Sequence, residues 1–239
     1  MSGLGSVAGG ARSGPHVLVA DVDAPELAGE DRQHLERALR LRAGDPLTVG
    51  DGAGRWRPCR FGDRVEPVGE VVSVAAASPE LAVGFAVLKG GRSETIVQKL
   101  TELGVDRIVP FVAERSVVRW DEAKTVRLAQ RWRRVAREAV MQCRRLWLPA
   151  VEPVRPFDEL EHSEAVLAVS EGRTLAAGEN FVLVGPEGGW TEGELAAVHR
   201  HVCLGPHIMR AETAAIAAAA VLGARRSGRL PAAGHVSEG

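Results

Sequence analysis

The sequence predicts an α/β fold in two domains, a parallel-sheet domain in the C-terminal part of the chain and a small β-barrel before it. The length of 239 residues exceeds the usual size of one domain, and 45% apolar residues are ordinary for a globular protein. Before about residue 75, short strand-like runs separated by turn residues dominate. After residue 80, strands and helices alternate, which is typical of βαβ units.

The barrel is predicted to cover residues 15–76. Only residues 30–41 within it have a helical pattern, and the turn residues GD and DGAG separate its later strands. The strand-like runs lie at residues 16–22, 45–50, 55–61 and 68–74.

The boundaries of the second domain follow from composition. The segment AAASPE at residues 75–80 is the predicted linker, and the parallel-sheet domain is assigned to residues 81–228. Residues 1–14 are rich in glycine and serine and lack an apolar core, so we expect a disordered lead-in and not a signal peptide or membrane anchor. Residues 229–239 form a similar tail.

A long amphipathic helix is predicted over residues 121–145. At about 100° per residue, one face carries mainly apolar residues, namely Leu128, Trp132, Val135, Ala136, Ala139 and Cys143. Another face carries Lys124, Arg127, Arg131 and Arg134. This basic face is either a solvated helix surface or a local patch for RNA. Because the formal net charge of the chain is −1, any RNA contact has to come from such local patches.

Two strand-to-loop-to-helix passages near the C-terminus are the most informative part of the chain. FVLV at residues 181–184 is typical of a buried strand and runs into a glycine-rich loop, after which Thr191 and Glu194 have the spacing of a capping box. A second strand at residues 201–204 leads through another loop to an alanine-rich helix at residues 212–226 that allows close backbone packing. That helix is too short and too weakly apolar to span a bilayer.

Both loops contain residues that allow sharp turns and close approach of a ligand to the backbone. The carboxyl ends of parallel strands are where open α/β sheets bind small molecules, although ordinary βα connections would show the same pattern. Neither the dinucleotide nor the triphosphate-binding glycine fingerprint is present, which argues against a nucleotide-hydrolysing enzyme.

The sequence predicts neither a disulfide framework nor a metal site. Cys59, Cys143 and Cys203 are widely spaced and form no C-x-x-C pair. His199 and His201 are close in sequence but have no clustered cysteine or carboxylate ligands beside them.

The two loop segments, VGPEGG at residues 184–189 and LGPHIMRAETA at residues 204–214, together resemble the paired signature of the RsmE family. The members of this family are bacterial 16S rRNA (uracil-N3)-methyltransferases of the SPOUT superfamily. Further family-like segments are LKGGR at 88–92, QK at 98–99, ELGV at 102–105, ERS at 114–116 and QCRR at 142–145. The resemblance covers most of residues 82–225, and a weaker likeness in the first domain includes HL, RL and GD between residues 34 and 45.

The chain departs from the family pattern at several motif positions. Met141 stands where glutamate is usual, Arg144 where glycine is common, and His207 where arginine is common. Met209 replaces the usual leucine and Ala211 the usual threonine or serine. VSEG at residues 169–172 also differs from the histidine-proline pair often found after that strand.

The resemblance implies a SPOUT-type α/β domain whose C-terminal segment forms a trefoil knot, joined to a PUA-like RNA-binding barrel. It also implies a homodimer in the cytoplasm that binds S-adenosylmethionine, uses 16S rRNA or the small ribosomal subunit as partner, and needs no metal or membrane. The cofactor is expected to contact mainly loop backbone. The residues implied for cofactor binding are Leu183, Val184, Gly185, Glu187, Gly188, Gly189, Leu204, Gly205, Ile208, Met209, Arg210 and Thr213.

The resemblance also suggests residues for RNA binding and chemistry. Arginine dominates the cationic candidates because lysines are few, and its planar fork suits phosphate binding. The candidates in or beside family-like motifs are Arg40, Arg42, Arg92, Arg115 and Arg145, each of which is alternatively a structural ion pair. Arg210 is a candidate for stabilising the uracil anion or, equally, a structural residue bonded to a loop carbonyl. Glu187 and Glu212 are candidate bases or helix-start carboxylates, so the general base is unassigned.

The predicted function is therefore methylation of ring nitrogen 3 of a uridine in 16S rRNA. The alternative is a non-catalytic RNA-binding or ribosome-assembly protein on the same scaffold, which the departures at Met141 and His207 leave open.

Overall fold

The computed structural model describes residues 14–117 and 121–230. Most of the predicted lead-in and tail therefore lies outside the described residues. The described chain folds as two compact units. The first contains the residues up to Ala76 together with Val140–Leu148, and the second contains the rest.

The first unit is built on a five-stranded sheet. Its first two strands pair in parallel and the others are antiparallel. The strands are β1 (His16–Leu18), β2 (Pro46–Gly50), β3 (Arg55–Arg60), β4 (Glu66–Pro67) and β5 (Val72–Ser73). Their order is β1-β2-β3-β4, and β5 also pairs with β3. Apolar side chains from the sheet and from Leu35 form a separate buried core.

Three predicted elements of this unit are shorter than expected, and the strand predicted over residues 16–22 covers only His16–Leu18. The helix predicted over residues 30–41 is α-helical only over Gly29–Gln33 (α1) and continues as a π-helix over His34–Ala38, with Arg40 in the left-handed region at φ 56°. The strand predicted over residues 68–74 is interrupted because the Gly69 carbonyl accepts hydrogen bonds at 3.1 and 2.7 Å from the Arg57 guanidinium. These non-local contacts compete with the strand ladder.

The second unit is built on a seven-stranded sheet in which every pair is parallel. The strands are β6 (Ala82–Ala86), β7 (Arg107–Val112), β8 (Ala150–Val151), β9 (Arg155–Pro156), β10 (Val166–Arg173), β11 (Phe181–Val184) and β12 (His201–Val202). The order is β12-β10-β11-β6-β7-β8, and β9 also pairs with β7. The helices are α2 (Arg92–Glu102), α3 (Glu122–Cys143), α4 (Glu192–Ala197) and α5 (Ala211–Arg226), with a 3₁₀ turn at Phe157–Glu159.

Both faces of this sheet are buried, which explains the continuous apolar runs of its central strands. In β11, Val182 and Val184 pack into one core cluster, whereas Phe181 and Leu183 pack into the cluster on the opposite face. The alternation follows from the two-residue period of a strand. The prediction of a buried strand before the first loop is confirmed.

Helix α3 has the two faces that the sequence predicts. Trp132, Ala136 and Ala139 are buried, and Trp132 makes an edge-on ring contact with Phe85. The helix ends at Cys143, slightly earlier than predicted, because Arg144 adopts a left-handed φ of 58°. This backbone state explains why a glycine suits the Arg144 position.

Helix α5 packs closely against the loop after α2. A Cβ atom on Gly223 would lie 2.8 Å from the Leu103 carbonyl oxygen, so the backbone can approach only because the side chain is absent. Small residues on the same face, including Ala215 and Ala219, are fully buried. Among the described residues, no helix combines the length and apolar character needed to cross a membrane.

An ion pair between exposed Arg173 and buried Glu179 fastens the end of β10 to the following turn. Two Arg173 guanidinium nitrogens bond to the Glu179 carboxylate, which also accepts the Ala176 N–H at 2.6 Å. The Arg173 hydrogen bonds, with help from this N–H, hold the pKa of Glu179 below its ordinary value of 4.5, although burial acts in the opposite direction. A carboxyl with a lower pKa in the folded than in the unfolded state stabilises the fold at pH values above the unfolded-state pKa. This stability is lost as the pH falls through the folded-state pKa.

We expect Glu179→Gln to lower the free energy of unfolding by about 2 kcal/mol at pH 7, because charged hydrogen bonds of this kind contribute about that much. The difference in the free energy of unfolding between the variant and wild type should shrink as the pH falls below 4.5. The carboxyl is then protonated first in the unfolded state and, at lower pH, in the folded state. Urea denaturation at several pH values measures both effects. Glu171→Gln, a change at an exposed neighbour, is the control. A pH-independent difference would contradict this account.

Candidate functional site

The two glycine-bearing loops predicted from the sequence border one cavity of about 380 Å³. The first loop follows β11 and the second follows β12, while Ala168, Val169 and Ser170 of β10 form a third wall. Strands β10, β11 and β12 are parallel, so the cavity lies at their carboxyl ends, where open α/β sheets bind ligands.

The first loop is held in one conformation by backbone geometry and by Trp190. Gly189 has φ 73°, and its N–H bonds to the Pro186 carbonyl at 2.9 Å. A Cβ atom on Gly185 would lie 2.7 Å from the Trp190 ring, so the indole packs directly on the loop backbone. The Trp190 Nε1–H donates to the Ala168 carbonyl at 3.0 Å, and the ring stacks on Phe111. Trp190 thus ties the loop to the neighbouring strand.

The capping box predicted from Thr191 and Glu194 is confirmed. The Thr191 hydroxyl accepts the Glu194 N–H at 3.3 Å, and the Glu194 carboxylate accepts the Thr191 N–H at 2.8 Å. The other Glu194 oxygen accepts the backbone N–H of Glu114 at 2.9 Å. This buried carboxylate therefore joins the start of α4 to the segment after β7.

The second loop presents apolar side chains to the cavity and to its rim. Leu204 and Met209 line the wall, and Ile208 lines the rim with 90% of its surface exposed. The Cys203 thiol donates to the Gly205 carbonyl at 2.9 Å. Arg210 precedes α5 as its N-cap residue, is exposed, and makes no side-chain capping bond.

The structure brings together most of the residues predicted for the cofactor. Those that line the cavity are Val184, Gly185, Glu187, Gly189, Leu204, Gly205, Ile208 and Met209. Four others do not line it. Leu183 packs into the core cluster that contains Phe181, and Gly188 packs against Arg115. Arg210 and Thr213 are exposed.

Several lining residues are absent from the set predicted to bind the cofactor, although some of them lie in the family-like segments. These are Ala168, Val169, Ser170, Pro186, Trp190, Leu195, His207, Ala211 and Ala214. The sequence signals for the β10 wall are the apolar run at the start of that strand and the family position of residues 169–172, where the histidine-proline pair is missing.

The charge of the lining is as informative as its shape. Glu187 is the one carboxylate among the described lining residues, which include no lysine or arginine. Apolar side chains and loop backbone form most of the wall. The cavity therefore suits a ligand with apolar rings and a positive charge better than a phosphate group.

Arg92, at the start of α2, connects the two sides of the site. One guanidinium nitrogen bonds to Glu187 and lies 3.9 Å from Glu212. The hydrogen bond with Glu187 raises the pKa of Arg92 further above its already high value. Both carboxylates proposed as bases from the sequence thus lie beside one cation.

The other arginines predicted for RNA binding lie in different settings. The Arg115 guanidinium donates to the carbonyls of Trp190 at 3.0 Å and Gly188 at 3.4 Å, so it supports the first loop. Arg40 and Arg42 are exposed in the first unit, and Arg145 is half-buried there. In the described ranges, no group of three or more histidine, cysteine or acidic residues could hold a metal ion.

A parallel sheet with a cavity at its strand ends, closed by two glycine-bearing loops, defines an α/β protein that binds a small molecule. The family model described as RNA methyltransferase domain matches residues 76–223. The chain belongs to this family. It is similar to ribosomal RNA small subunit methyltransferase E of Mycobacterium bovis, with 34% identity over 221 residues that cover 82% of this chain and 84% of the relative. The Bacillus subtilis protein of the same name is 31% identical, covering 79% and 85% of the two chains.

Solved structures agree with the sequence comparison. Ribosomal RNA small subunit methyltransferase E of Neisseria gonorrhoeae, crystallised with S-adenosylmethionine, has a TM-score of 0.75 at 26% identity, covering 88% of this chain and 97% of that one. A structure from Legionella pneumophila with the same cofactor bound has a TM-score of 0.75 at 27% identity and the same coverage. The family membership predicted from the motifs is confirmed. Both of these structures contain S-adenosylmethionine, which confirms the predicted cofactor.

Proposed function

We propose that this protein transfers a methyl group from S-adenosylmethionine to ring nitrogen 3 of a uridine in 16S rRNA of the small ribosomal subunit. The observation that carries this proposal is the cavity at the carboxyl ends of β10, β11 and β12. Its volume of about 380 Å³ falls in the usual range for small-molecule sites. Relatives with the same fold hold S-adenosylmethionine, and curated relatives are named as methyltransferases of small-subunit RNA.

The residues of the cavity fit this cofactor. Backbone groups around Gly185 and Gly205 can bond the polar edges of an adenine, while Leu204 and Met209 provide apolar contact for its ring. The described lining has no lysine or arginine that would repel a sulfonium cation, and its one carboxylate, Glu187, is paired with Arg92. When bound, S-adenosylmethionine supplies an activated methyl group, so the protein has to contribute mainly positioning and exclusion of water.

We propose distinct roles for the charged residues around the cavity. Arg92 pairs with Glu187 and lies near Glu212, so it holds the first loop near the start of α5. Arg210 is exposed beside the second loop, where its cation can stabilise negative charge on a uracil that has lost its imide proton. Gly188 and Arg115 support the first loop from behind. We assign no residue as the general base.

The finer architecture is also a proposal. We propose a PUA-like barrel over residues 15–76 and a SPOUT domain with a trefoil knot over residues 81–228. The five-stranded sheet with its own core supports the first, and the parallel sheet of the second unit supports the second. We further propose that the protein is cytoplasmic and forms a homodimer. The 90% exposure of the apolar Ile208 side chain at the cavity rim supports the homodimer.

Methyl transfer to small ribosomal subunits tests the function directly. We expect incorporation of label from S-adenosylmethionine into subunits from a strain that lacks the gene, with N3-methyluridine as the labelled nucleoside. Subunits from the complemented strain serve as the control and should accept no label. Cofactor binding without any incorporation would favour the non-catalytic RNA-binding alternative, and a different methylated nucleoside would refute the assigned ring position.

A further inference from the structure

One segment of α3 carries a strong local positive charge. Residues 123–137 contain six lysines and arginines and no aspartate or glutamate, whereas the whole chain has a formal net charge of −1. The six cations are Lys124, Arg127, Arg131, Arg133, Arg134 and Arg137. Such segregation of charge in a nearly neutral protein indicates a local binding surface for an anion.

Four of these cations form a stripe along one side of the helix, namely Lys124, Arg127, Arg131 and Arg134. At 1.5 Å per residue, the stripe extends over about 15 Å. The opposite side is fixed in the core through Trp132 and Ala136, so the helix cannot rotate to hide the stripe. The direction of the stripe is therefore set by the fold.

The members of the stripe are largely available to a partner. All four are exposed, and the Arg131 side chain retains 65% of its accessible surface although it pairs with Glu94 at 3.0 Å. Within the described parts of the chain, Lys124, Arg127 and Arg134 have no ion-pair partner. Three unpaired cations in a row leave mutual repulsion unrelieved, a cost that binding of a polyanion removes.

We propose that this stripe is a contact surface for the phosphate backbone of the RNA substrate. The inference rests on the proposed function and names a surface for that substrate. Arginine suits the role because its planar fork can hold two phosphate oxygens at once. Successive cations on neighbouring helical turns can follow successive phosphates of one strand, which provides affinity and orientation without reading sequence.

Contacts within the second unit link the stripe to the cofactor cavity. Arg131 pairs with Glu94 in the first turn of α2, and Arg92 of the same turn bonds to Glu187 on the cavity wall. The stripe therefore contacts the first turn of α2, the turn from which Arg92 reaches the cavity wall. RNA lying along the stripe is led towards the cavity.

The test compares two double variants, each of which removes two positive charges from the second unit. Arg127→Gln with Arg134→Gln changes the stripe. Arg155→Gln with Arg229→Gln is the matched control, because both residues are exposed and lie outside α3. Binding of labelled RNA extracted from small subunits is measured for the full-length proteins between about 50 and 200 mM salt, a range in which phosphate contacts dominate the change in affinity. Calorimetry with S-adenosylmethionine and thermal unfolding are recorded alongside.

We expect the stripe variant to bind RNA at least about tenfold more weakly, and the slope of log affinity against log salt to fall by about 1.4 to 1.8. The control should retain the wild-type slope, and both variants should bind the cofactor and unfold as wild type does. An unchanged slope in the stripe variant, or an equal loss in the control, would overturn the proposal. If the wild-type protein methylates RNA but the variants give either of these results, only the role of the stripe is refuted. A wild-type protein that binds RNA through the stripe but transfers no methyl group refutes only the proposed reaction.

Discussion

Replacing Ala214 with phenylalanine is expected to weaken binding of S-adenosylmethionine by about 100-fold or more while the protein stays folded. Ala214 lies on α5, is half-buried, and lines the cavity between the two loops. A phenyl ring there occupies space that the ligand needs, and forcing atoms into an occupied site costs about 1 to 3 kcal/mol or more. We therefore expect the affinity to fall by about 100-fold or more, as measured by calorimetry.

Ala220→Phe provides the control for this experiment. Ala220 lies on the same helix but is exposed and does not line the cavity, so the same side chain should leave cofactor binding unchanged. Thermal unfolding of both variants checks that the fold persists. Wild-type affinity in the Ala214 variant would place the ligand elsewhere and remove the assignment of the cavity.

Glu194→Ala is expected to lower the free energy of unfolding by about 3 kcal/mol. The substitution leaves the backbone N–H groups of Thr191 and Glu114 without their acceptor. Both donors are only partly buried, and each loses a hydrogen bond to a charged group, which contributes about 1.5 to 3 kcal/mol, so a total of about 3 kcal/mol is expected. Urea denaturation measures the difference in the free energy of unfolding.

Glu192→Ala is the matched control, because Glu192 lies in the same first turn of α4 but is exposed. Its removal should change the free energy of unfolding by no more than about 0.5 kcal/mol. If the two variants were equally stable, the Glu194 carboxylate would not be holding the two segments together.

The sequence predicts those features of the fold that depend on neighbouring residues. The spacing of nearby residues is enough to predict the buried strand β11, the two faces of α3 and the capping box of Thr191 and Glu194. Their energetics are local, so a pattern in the chain is enough to identify them.

Features that depend on distant residues could not be found in this way. The bond from Glu194 to the Glu114 N–H joins residues 80 positions apart, and Arg92 reaches Glu187 across 95 positions. The β10 wall of the cavity consists of small residues whose role comes only from their place beside β11. The left-handed backbone at Arg40 and Arg144 is likewise imposed by surrounding contacts, since arginine itself disfavours it.

The position of Trp190 gives the protein a natural optical reporter. Its indole, one of five in the chain, lines the cavity, bonds to the Ala168 carbonyl and stacks on Phe111, so any molecule that enters alters its surroundings. Occupancy of the cavity can therefore be followed by emission spectroscopy on the unlabelled protein, even at protein concentrations too low for calorimetry.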